Sequence, residues 1–250
     1  MKSILPALLL GALLAVVSTA TAEDTRVFEI RTYHANEGKL DALNARFRDH
    51  TVKLFEKHGM KNIGYWIPTD NKDNVLIYVL AYPSKDARGA SWKAFMSDPE
   101  WQAAHAASEK DGKLVNKVDS QFMVATDYSP AIKPKSESPA RLFELRVYHT
   151  NDGKLADLDS RFLDHTMKIF AEQGMENIAY WHLMDDQTGA DSTLVYILAF
   201  KDEAAREKAW KGFGADPSWK QAYADSTVNG KLVNKVDSTQ MKATDYSPTK

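Results

Sequence analysis

Apolar and polar side chains follow a definite order of elements along the chain after residue 25. Residues 26–34 alternate between the two kinds, which predicts a strand with one face on a core. An amphipathic helix is predicted next, because apolar-face positions recur three and four residues apart, at Leu40, Leu43, Phe47, His50 and Leu54. Strands are predicted at residues 62–67, 75–82 and 113–125, and between the last two lie helical segments from residues 84 and 98. The unit is therefore β-α-β-β-α-β, with His50 expected on the buried helix face.

This unit occurs twice in the chain. The sequence FEIRTYH at residues 28–34 recurs as FELRVYH at residues 143–149, 115 residues later. After a small insertion near residues 187–191 the offset is 118, and both units end in the sequence DYSP, at residues 127–130 and 245–248. A period this long indicates a duplicated domain rather than a solenoid repeat.

The duplication predicts how the two units pack. Each unit places both helices on one side of a four-stranded sheet and leaves the other sheet face bare. We therefore predict an α+β protein in which two ferredoxin-like βαββαβ repeats, residues 23–130 and 141–250, pack sheet to sheet as an intramolecular dimeric α/β-barrel. Residues 131–140, rich in Pro, Lys and Ser, are predicted to link them. The alternative is two independent domains on a flexible linker, which would expose a large apolar sheet face.

Residues 1–22 are typical of a secretory signal peptide. Lys2 precedes an apolar run at residues 4–17, and the sequence Ala-Thr-Ala at residues 20–22 matches a cleavage site, so the mature chain is expected to begin at Glu23. The alternative is a retained membrane anchor, but the run is shorter than the roughly 20 residues that span a bilayer. We expect export by a Sec-type signal to a periplasmic or secreted location, with no membrane association after cleavage.

Composition removes several classes of function. Lys+Arg 32 against Asp+Glu 34 gives a net charge of −2, which argues against a nucleic-acid partner. The chain has no cysteine, so disulfides, thiolate metal sites and a cysteine nucleophile are excluded. No three metal-ligating side chains converge by spacing, and no histidine is identifiable as an axial haem ligand. We therefore expect neither a metal nor another cofactor.

An ordered set of short motifs resembles the NIPSNAP family. In the first repeat these are FEIRTY at residues 28–33, GKL at 38–40, GYW at 64–66 and DPEW at 98–101. The second repeat carries FELRVY, GKL, AYW and DPSW at the matching positions. The resemblance implies a dimeric α/β-barrel fold but no defined reaction. The wider superfamily that it implies includes cofactor-free monooxygenases, haem enzymes and isomerases, and fold analogy alone does not choose among them.

The first strand of each repeat carries the main candidate site residues. If Phe28 and Ile30 face the helices, the other parity faces the opposite sheet, and the barrel interior holds Glu29, Arg31, Tyr33, Glu144, Arg146 and Tyr148. One interpretation is a polar pocket for a small organic acid or phenol, with arginine binding the anion and tyrosine donating a hydrogen bond. The other is an ion-pair network that satisfies itself and only registers the two halves.

The second strand of each repeat supplies three further candidate ligand contacts. His182 replaces Ile67 of the first repeat, and it is considered with Tyr65 and Tyr180 on the same strands. His182 would mark the second repeat as the binding half, whereas the plainer interpretation is a surface histidine at a strand end. His50 and His165 are interpreted as core histidines of their helices.

Three functions stay open at this point. The first is binding of a small anionic or phenolic molecule between the two sheets. The second is a protein-interaction module without enzyme activity. The third is a cofactor-free oxygenase or isomerase of the barrel type. The sequence also leaves open whether the tandem chain forms a homo-oligomer.

Overall fold

Each repeat forms the predicted order of strands and helices in a computed structural model that describes residues 24–137 and 140–250. The predicted signal peptide lies outside the described residues. The first repeat contains β1 Val27–Ala35, α1 Leu40–Arg46, α2 Val52–Lys57, β2 Lys61–Pro68, β3 Val75–Tyr82, α3 Lys85–Met96, α4 Pro99–Ser108 and β4 Val115–Ala125. The second contains β5 Leu142–Thr150, α5 Leu155–Arg161, α6 Met167–Glu172, β6 Glu176–Leu183, β7 Thr193–Phe200, α7 Glu203–Ala215, α8 Pro217–Ser226 and β8 Val233–Ala243. Within the described ranges, no helix has the length and apolar character needed to cross a membrane.

The eight strands close into one antiparallel barrel in the order β1-β3-β2-β8-β5-β7-β6-β4. Two short seams join the repeats. Trp66 to Pro68 of β2 pair with Ala243 to Met241 of β8, and Met123 to Ala125 of β4 pair with Leu183 to Trp181 of β6. The predicted sheet-to-sheet barrel is confirmed, and the alternative of two independent domains is wrong. Closure removes the bare sheet face that would otherwise be exposed to water.

The barrel interior is apolar and is filled from both repeats. Its main side chains are Phe28, Ile30, Trp66, Ile77, Val79, Met123, Phe143, Leu145, Trp181, Val195, Ile197 and Met241. The aromatic rings meet across the repeats, with Phe28 and Trp181 centroids 5.7 Å apart and Trp66 and Phe143 also 5.7 Å apart. This dry interior is the common core of the two halves.

The predicted orientation of the first strands is wrong. Phe28 and Ile30 point into the barrel, so Glu29, Arg31 and Tyr33 face the helices instead of the opposite sheet. The equivalent residues Glu144, Arg146 and Tyr148 do the same in the second repeat. Both faces of β1 and β5 are covered, one by the barrel and one by helices, so alternation alone did not distinguish them.

A single five-residue π-turn interrupts the first helix of each repeat, at Phe47–Thr51 and Phe162–Thr166. The Thr51 hydroxyl donates to the carbonyl oxygen of Arg46 at 3.1 Å, which satisfies an acceptor that the wider turn leaves open. The extra residue rotates the helix face, so Thr51 is buried and His50 is exposed. The prediction that His50 and its equivalent His165 are core residues is therefore wrong.

The DYSP segment of each repeat packs on the other repeat. Tyr246 packs on the rings of Phe47 and Tyr65, with centroids 6.3 and 5.4 Å away, and its hydroxyl donates to Asn44 Oδ1 at 2.7 Å. The Ser247 hydroxyl accepts a hydrogen bond from the Tyr65 amide at 2.9 Å. The first repeat therefore completes its helix-side core with a segment from the second.

The reverse exchange is made by the first repeat. The Tyr128 hydroxyl donates to Asp159 Oδ1 at 2.6 Å, and the Ser129 hydroxyl accepts from the Tyr180 amide at 3.0 Å. The two segments act as reciprocal clasps in addition to the two seams of the barrel.

Candidate functional site

The carboxylate of Glu29 is fully buried between the sheet and α3. Arg88 of α3 donates to it from Nε at 3.1 Å and from Nη2 at 2.7 Å. The hydroxyls of Ser120 on β4 and Tyr82 on β3 donate at 2.7 and 2.9 Å. Arg31, two residues along β1, adds an ion pair through Nη1. Glu29 therefore connects four elements of the first repeat.

The Arg31 guanidinium is held on its other sides by aromatic groups. Its Nε donates to the Tyr78 hydroxyl at 2.9 Å, and its central carbon lies 4.5 Å from the ring centroid of Trp92. Cation–π contact and a buried carboxylate together compensate the charge that burial would otherwise penalise.

The second repeat has the same network with one change. Glu144 accepts from Arg206 Nε at 2.6 Å, from Ser238 at 2.7 Å and from Arg146 Nη1 at 2.5 Å. A fourth hydrogen bond comes directly from Trp210 Nε1, at 2.9 Å. Both networks are therefore closed by residues of their own repeat.

Electrostatics keep both carboxylates ionised. Burial raises the pKa of Glu29, but the hydrogen bonds from Arg88 and the charge of Arg31 outweigh it, and the pKa falls to about 2. Burial likewise opposes the hydrogen bonds from Arg206 and Ser238, which lower the pKa of Glu144. These contacts favour the interpretation of the Glu–Arg pairs as self-satisfied ion-pair networks.

An open cleft of about 410 Å³ lies beside the first network, between the sheet and the helices of the first repeat. We call it the first-repeat cleft. Six aromatic side chains line it: Tyr33, Phe47, Phe55, Trp92, Phe95 and Trp101. They come from β1, the interrupted first helix, α3 and α4, which the duplication places on one side of the sheet. Its volume is within the range of about 300–1,000 Å³ that is usual for small-molecule sites.

Polar groups are few in this cleft and are concentrated around Arg46. The side chain of Arg46 is buried over the Trp101 ring, 5.3 Å from its centroid. Its Nη1 donates to Ser108 and to Glu109 Oε1, each at 3.2 Å, while its Nε has no hydrogen-bond partner among the described residues. His105 Nε2 lies 3.5 Å from Glu109 Oε1. The cleft thus combines an aromatic wall with a donor, a carboxylate and an imidazole.

The second repeat does not reproduce this polar group. Arg161 is the equivalent of Arg46, but Tyr223 and Thr227 stand where the first repeat has His105 and Glu109. The duplicated scaffold therefore carries two different chemistries at equivalent positions.

The predicted site residues do not converge on one place. Of the nine, Tyr33 lines the first-repeat cleft. Tyr65 and Tyr180 are fully buried and stack on the tyrosines of β3 and β7. His182 lies on the helix side of β6, with Nε2 3.0 Å from Asp159 Oδ1. Tyr148 accepts a hydrogen bond from Arg146 at 3.3 Å.

The space between the two sheets contains other residues than those predicted. A cavity of about 470 Å³ is bounded by Ile30, Leu145, Val147 and Val195, with Asp119 among its polar residues. No carboxylate or guanidinium of the Glu–Arg networks reaches it. The described residues also hold no group of three or more His, Asp or Glu arranged for a metal ion.

The residues that sequence reasoning missed are Arg46, His105 and Glu109. Arg46 stands beside Phe47 on a helix face that is otherwise apolar, and Arg161 repeats this beside Phe162. A charged residue that recurs on an apolar face was the available signal. His105 and Glu109 gave none, because their role depends on how α4 packs on the first helix.

Comparison with known proteins bears on the family and the fold. The family model described as NIPSNAP matches residues 28–130 and 143–248. A curated relative, "Protein NipSnap homolog" of Dictyostelium discoideum, is 23% identical over 216 residues, covering 85% of this chain and 86% of that protein.

Two solved structures share the fold across most of the chain. The "Putative monooxygenase" of Fusobacterium nucleatum has a TM-score of 0.57 at 10% identity and covers 88% of this chain and 92% of its own. The "putative monooxygenase" of Lactobacillus acidophilus has a TM-score of 0.52 at 14% identity and covers 88% and 94%. Identities this low speak for the barrel and not for a shared reaction.

Proposed function

This chain belongs to the NIPSNAP family, and we propose that it binds a small planar aromatic molecule with an oxygen substituent, a phenol or an aromatic carboxylate, in the first-repeat cleft. The observation that carries the proposal is the cleft itself, in which six aromatic side chains surround a buried arginine with an unpartnered Nε. Apolar walls with a few polar groups are the usual composition of a ligand site. The proposal moves the ligand from the space between the sheets to the space between sheet and helices.

The polar groups of the cleft define the expected orientation of the ligand. Arg46 Nε offers a donor to a phenolate or carboxylate oxygen, and Glu109 offers an acceptor to a neutral phenol. Lys113 and Lys117 also line the cleft and favour a negatively charged ligand. The rings of Trp92 and Trp101 suit stacking or edge contact with a planar ligand.

A matched pair of variants tests the proposal. Thermal-shift and tryptophan-fluorescence titrations with a panel of phenols and aromatic carboxylates are expected to identify a ligand that raises Tm, because binding to the native state alone stabilises it. His105→Tyr inserts the larger side chain of the second repeat and is expected to abolish the shift. Tyr223→His, the reciprocal change, is expected to preserve it. Equal shifts in both variants, or no shift with the wild type, would refute the first-repeat cleft as the site.

A proton-transfer reaction in the same cleft is a second candidate, favoured by the His105–Glu109 pair. An imidazole next to a carboxylate on a cleft wall has the arrangement of a general base and its orienting group. Isomerisation of the bound ligand, followed by NMR, tests this candidate. Product formation that persists in His105→Ala would contradict it.

We also propose that the chain is exported by its first 22 residues. The support is the sequence pattern of a short apolar run followed by an Ala-Thr-Ala cleavage site. Fractionation of the expressing cell and N-terminal sequencing of the mature protein test this. A mature chain that begins at Glu23 outside the cytoplasm is expected, and a chain that retains Met1 would contradict the proposal.

A further inference from the structure

Arg161 is a buried cation without a carboxylate partner in the described part of the chain. The residue is 6% exposed, and its Nη1 donates to the Ser226 hydroxyl at 3.2 Å, while Nε has no partner. The guanidinium carbon lies 5.1 Å from the Trp219 ring centroid and 5.5 Å from that of Tyr223. Aromatic faces attract the cation but do not neutralise it.

The first repeat shows what Arg161 lacks. Its equivalent, Arg46, forms an ion pair with Glu109 at 3.2 Å, and the second repeat has Thr227 at the position of Glu109. Burial also lowers the pKa of Arg161, which agrees with a charge that no nearby carboxylate supports. An unpaired buried charge is costly, so a ligand that supplies a negative group there gains free energy.

A pocket of about 340 Å³ opens beside Arg161, between α5 and α8. Three carboxylates line it, those of Asp157, Asp164 and Asp225, together with the hydroxyls of Ser160 and Ser226. Asp157 is paired with Lys154 at 2.9 Å, whereas the described residues offer Asp164 and Asp225 no salt bridge. The pocket therefore has a buried positive charge and two carboxylates that stay available to a ligand.

The polar character of this pocket is specific to the second repeat. The first repeat has Ala42, Ala45 and Ala107 at the positions of Asp157, Ser160 and Asp225. Three alanines and one glutamate in one repeat thus correspond to three polar residues and one threonine in the other. Substitutions that remove the partner of the buried arginine and add carboxylates at the same place indicate a site and not random surface change.

We propose that this pocket binds a small zwitterion of the α-amino acid class, with its carboxylate on Arg161 and its ammonium group on Asp225 and Asp164. A simple anion would be repelled by the carboxylates, and a simple cation would be repelled by the guanidinium. A molecule that carries both charges a few ångströms apart satisfies both ends of the pocket. This site is separate from the first-repeat cleft and does not depend on its ligand.

Calorimetric titration of the full chain with each of the twenty standard amino acids tests the proposal. At least one is expected to bind with one site per chain. For the tightest of them, the corresponding α-hydroxy acid and the corresponding decarboxylated amine are each expected to bind about tenfold more weakly or worse, since each lacks one charge. Absence of binding by every amino acid at ~10 mM, or equal binding of the hydroxy acid, would overturn the proposal.

Three variants locate the site. Thr227→Glu supplies the carboxylate that the first repeat has, so it is expected to abolish amino-acid binding and to raise the Tm of the unliganded chain. Asp225→Ala, which restores the residue of the first repeat, is expected to weaken binding about tenfold. His105→Tyr in the first-repeat cleft is expected to leave amino-acid binding unchanged. Unchanged binding by Thr227→Glu, or loss in His105→Tyr, would place the ligand elsewhere and refute the site.

Discussion

Trp210 Nε1 donates directly to Glu144 Oε2 at 2.9 Å, whereas the equivalent Trp92 donates to the hydroxyl of Tyr82, which in turn donates to Glu29. The cause is one substitution, because Phe200 occupies the position of Tyr82 in the second repeat. Removing the hydroxyl allows the indole to reach the carboxylate itself. The two repeats therefore saturate the same buried carboxylate by two routes.

The Tyr82 hydroxyl is expected to be worth about 1–2 kcal/mol of stability in the first repeat. Tyr82→Phe removes a hydrogen bond to a charged acceptor and leaves Trp92 Nε1 without its partner. Urea unfolding measures the loss. Tyr223→Phe, which changes a 43% exposed tyrosine, is the control and is expected to change stability by less than about 0.5 kcal/mol. An equal effect of both changes would contradict the role of the Tyr82 hydroxyl.

Stability is expected to fall in acid because of Glu29. Its pKa is about 2 in the folded chain and near the ordinary value of 4.5 when unfolded. The stabilisation is therefore complete above about pH 4.5 and is lost as the pH falls toward 2, with a total on the order of 3 kcal/mol. The urea midpoint measured from pH 6 to pH 2.5 checks this.

Glu29→Gln is the companion variant for the pH series. It is expected to be less stable at pH 7, since Arg31 and Arg88 lose their buried partner. It is also expected to lose less stability than the wild type on acidification. The same pH dependence in both proteins would show that Glu29 is not the titrating group.

The clasp formed by Tyr246 is expected to stabilise the first repeat from outside it. Tyr246→Ala removes ring contacts with Phe47 and Tyr65 and the hydrogen bond to Asn44, at an expected cost of about 1–3 kcal/mol. Hydrogen exchange is expected to accelerate in α1 and α2 of the first repeat more than in the second. Protection lost only near residue 246 itself would contradict the clasp.

The two π-turns are expected to depend on their threonines. Thr51→Val is nearly isosteric but removes the hydroxyl that donates to the Arg46 carbonyl. A buried acceptor left without a donor costs about 1–3 kcal/mol. Chemical unfolding of Thr51→Val and of the equivalent Thr166→Val measures this cost, and similar losses are expected because the 3.1 Å contact is the same in both repeats. No loss in either variant would show that the turn does not need the hydroxyl.

The element order and the barrel could be predicted from the sequence, because the duplicated β-α-β-β-α-β pattern leaves one sheet face of each repeat to be covered. The direction of Glu29 could not. Alternation on β1 separates Phe28 from Glu29 but does not say which faces the helices, and both sides of the strand are buried. The deciding partner, Arg88, lies 59 residues away on α3 and is visible only in the packed structure.

The candidate sites were harder to predict than the fold, for two physical reasons. A π-turn changes the helical period locally, so the spacing of Leu43, Phe47 and His50 indicated the wrong face for the histidine. Arg46 and Arg161 acquire different meanings only through α4 and α8, whose last turns supply a glutamate in one repeat and no carboxylate in the other.

Reciprocal clasping also has an evolutionary consequence. A one-repeat ancestor meets these contacts only as a pair of identical subunits, in which every mutation is imposed on both members at once. Fusion into a single polypeptide removes that constraint, while each half still depends on the other for the tyrosine that completes its helix-side core. One half is then free to diverge, as at Thr227 and Asp225, without forcing the same change on its twin.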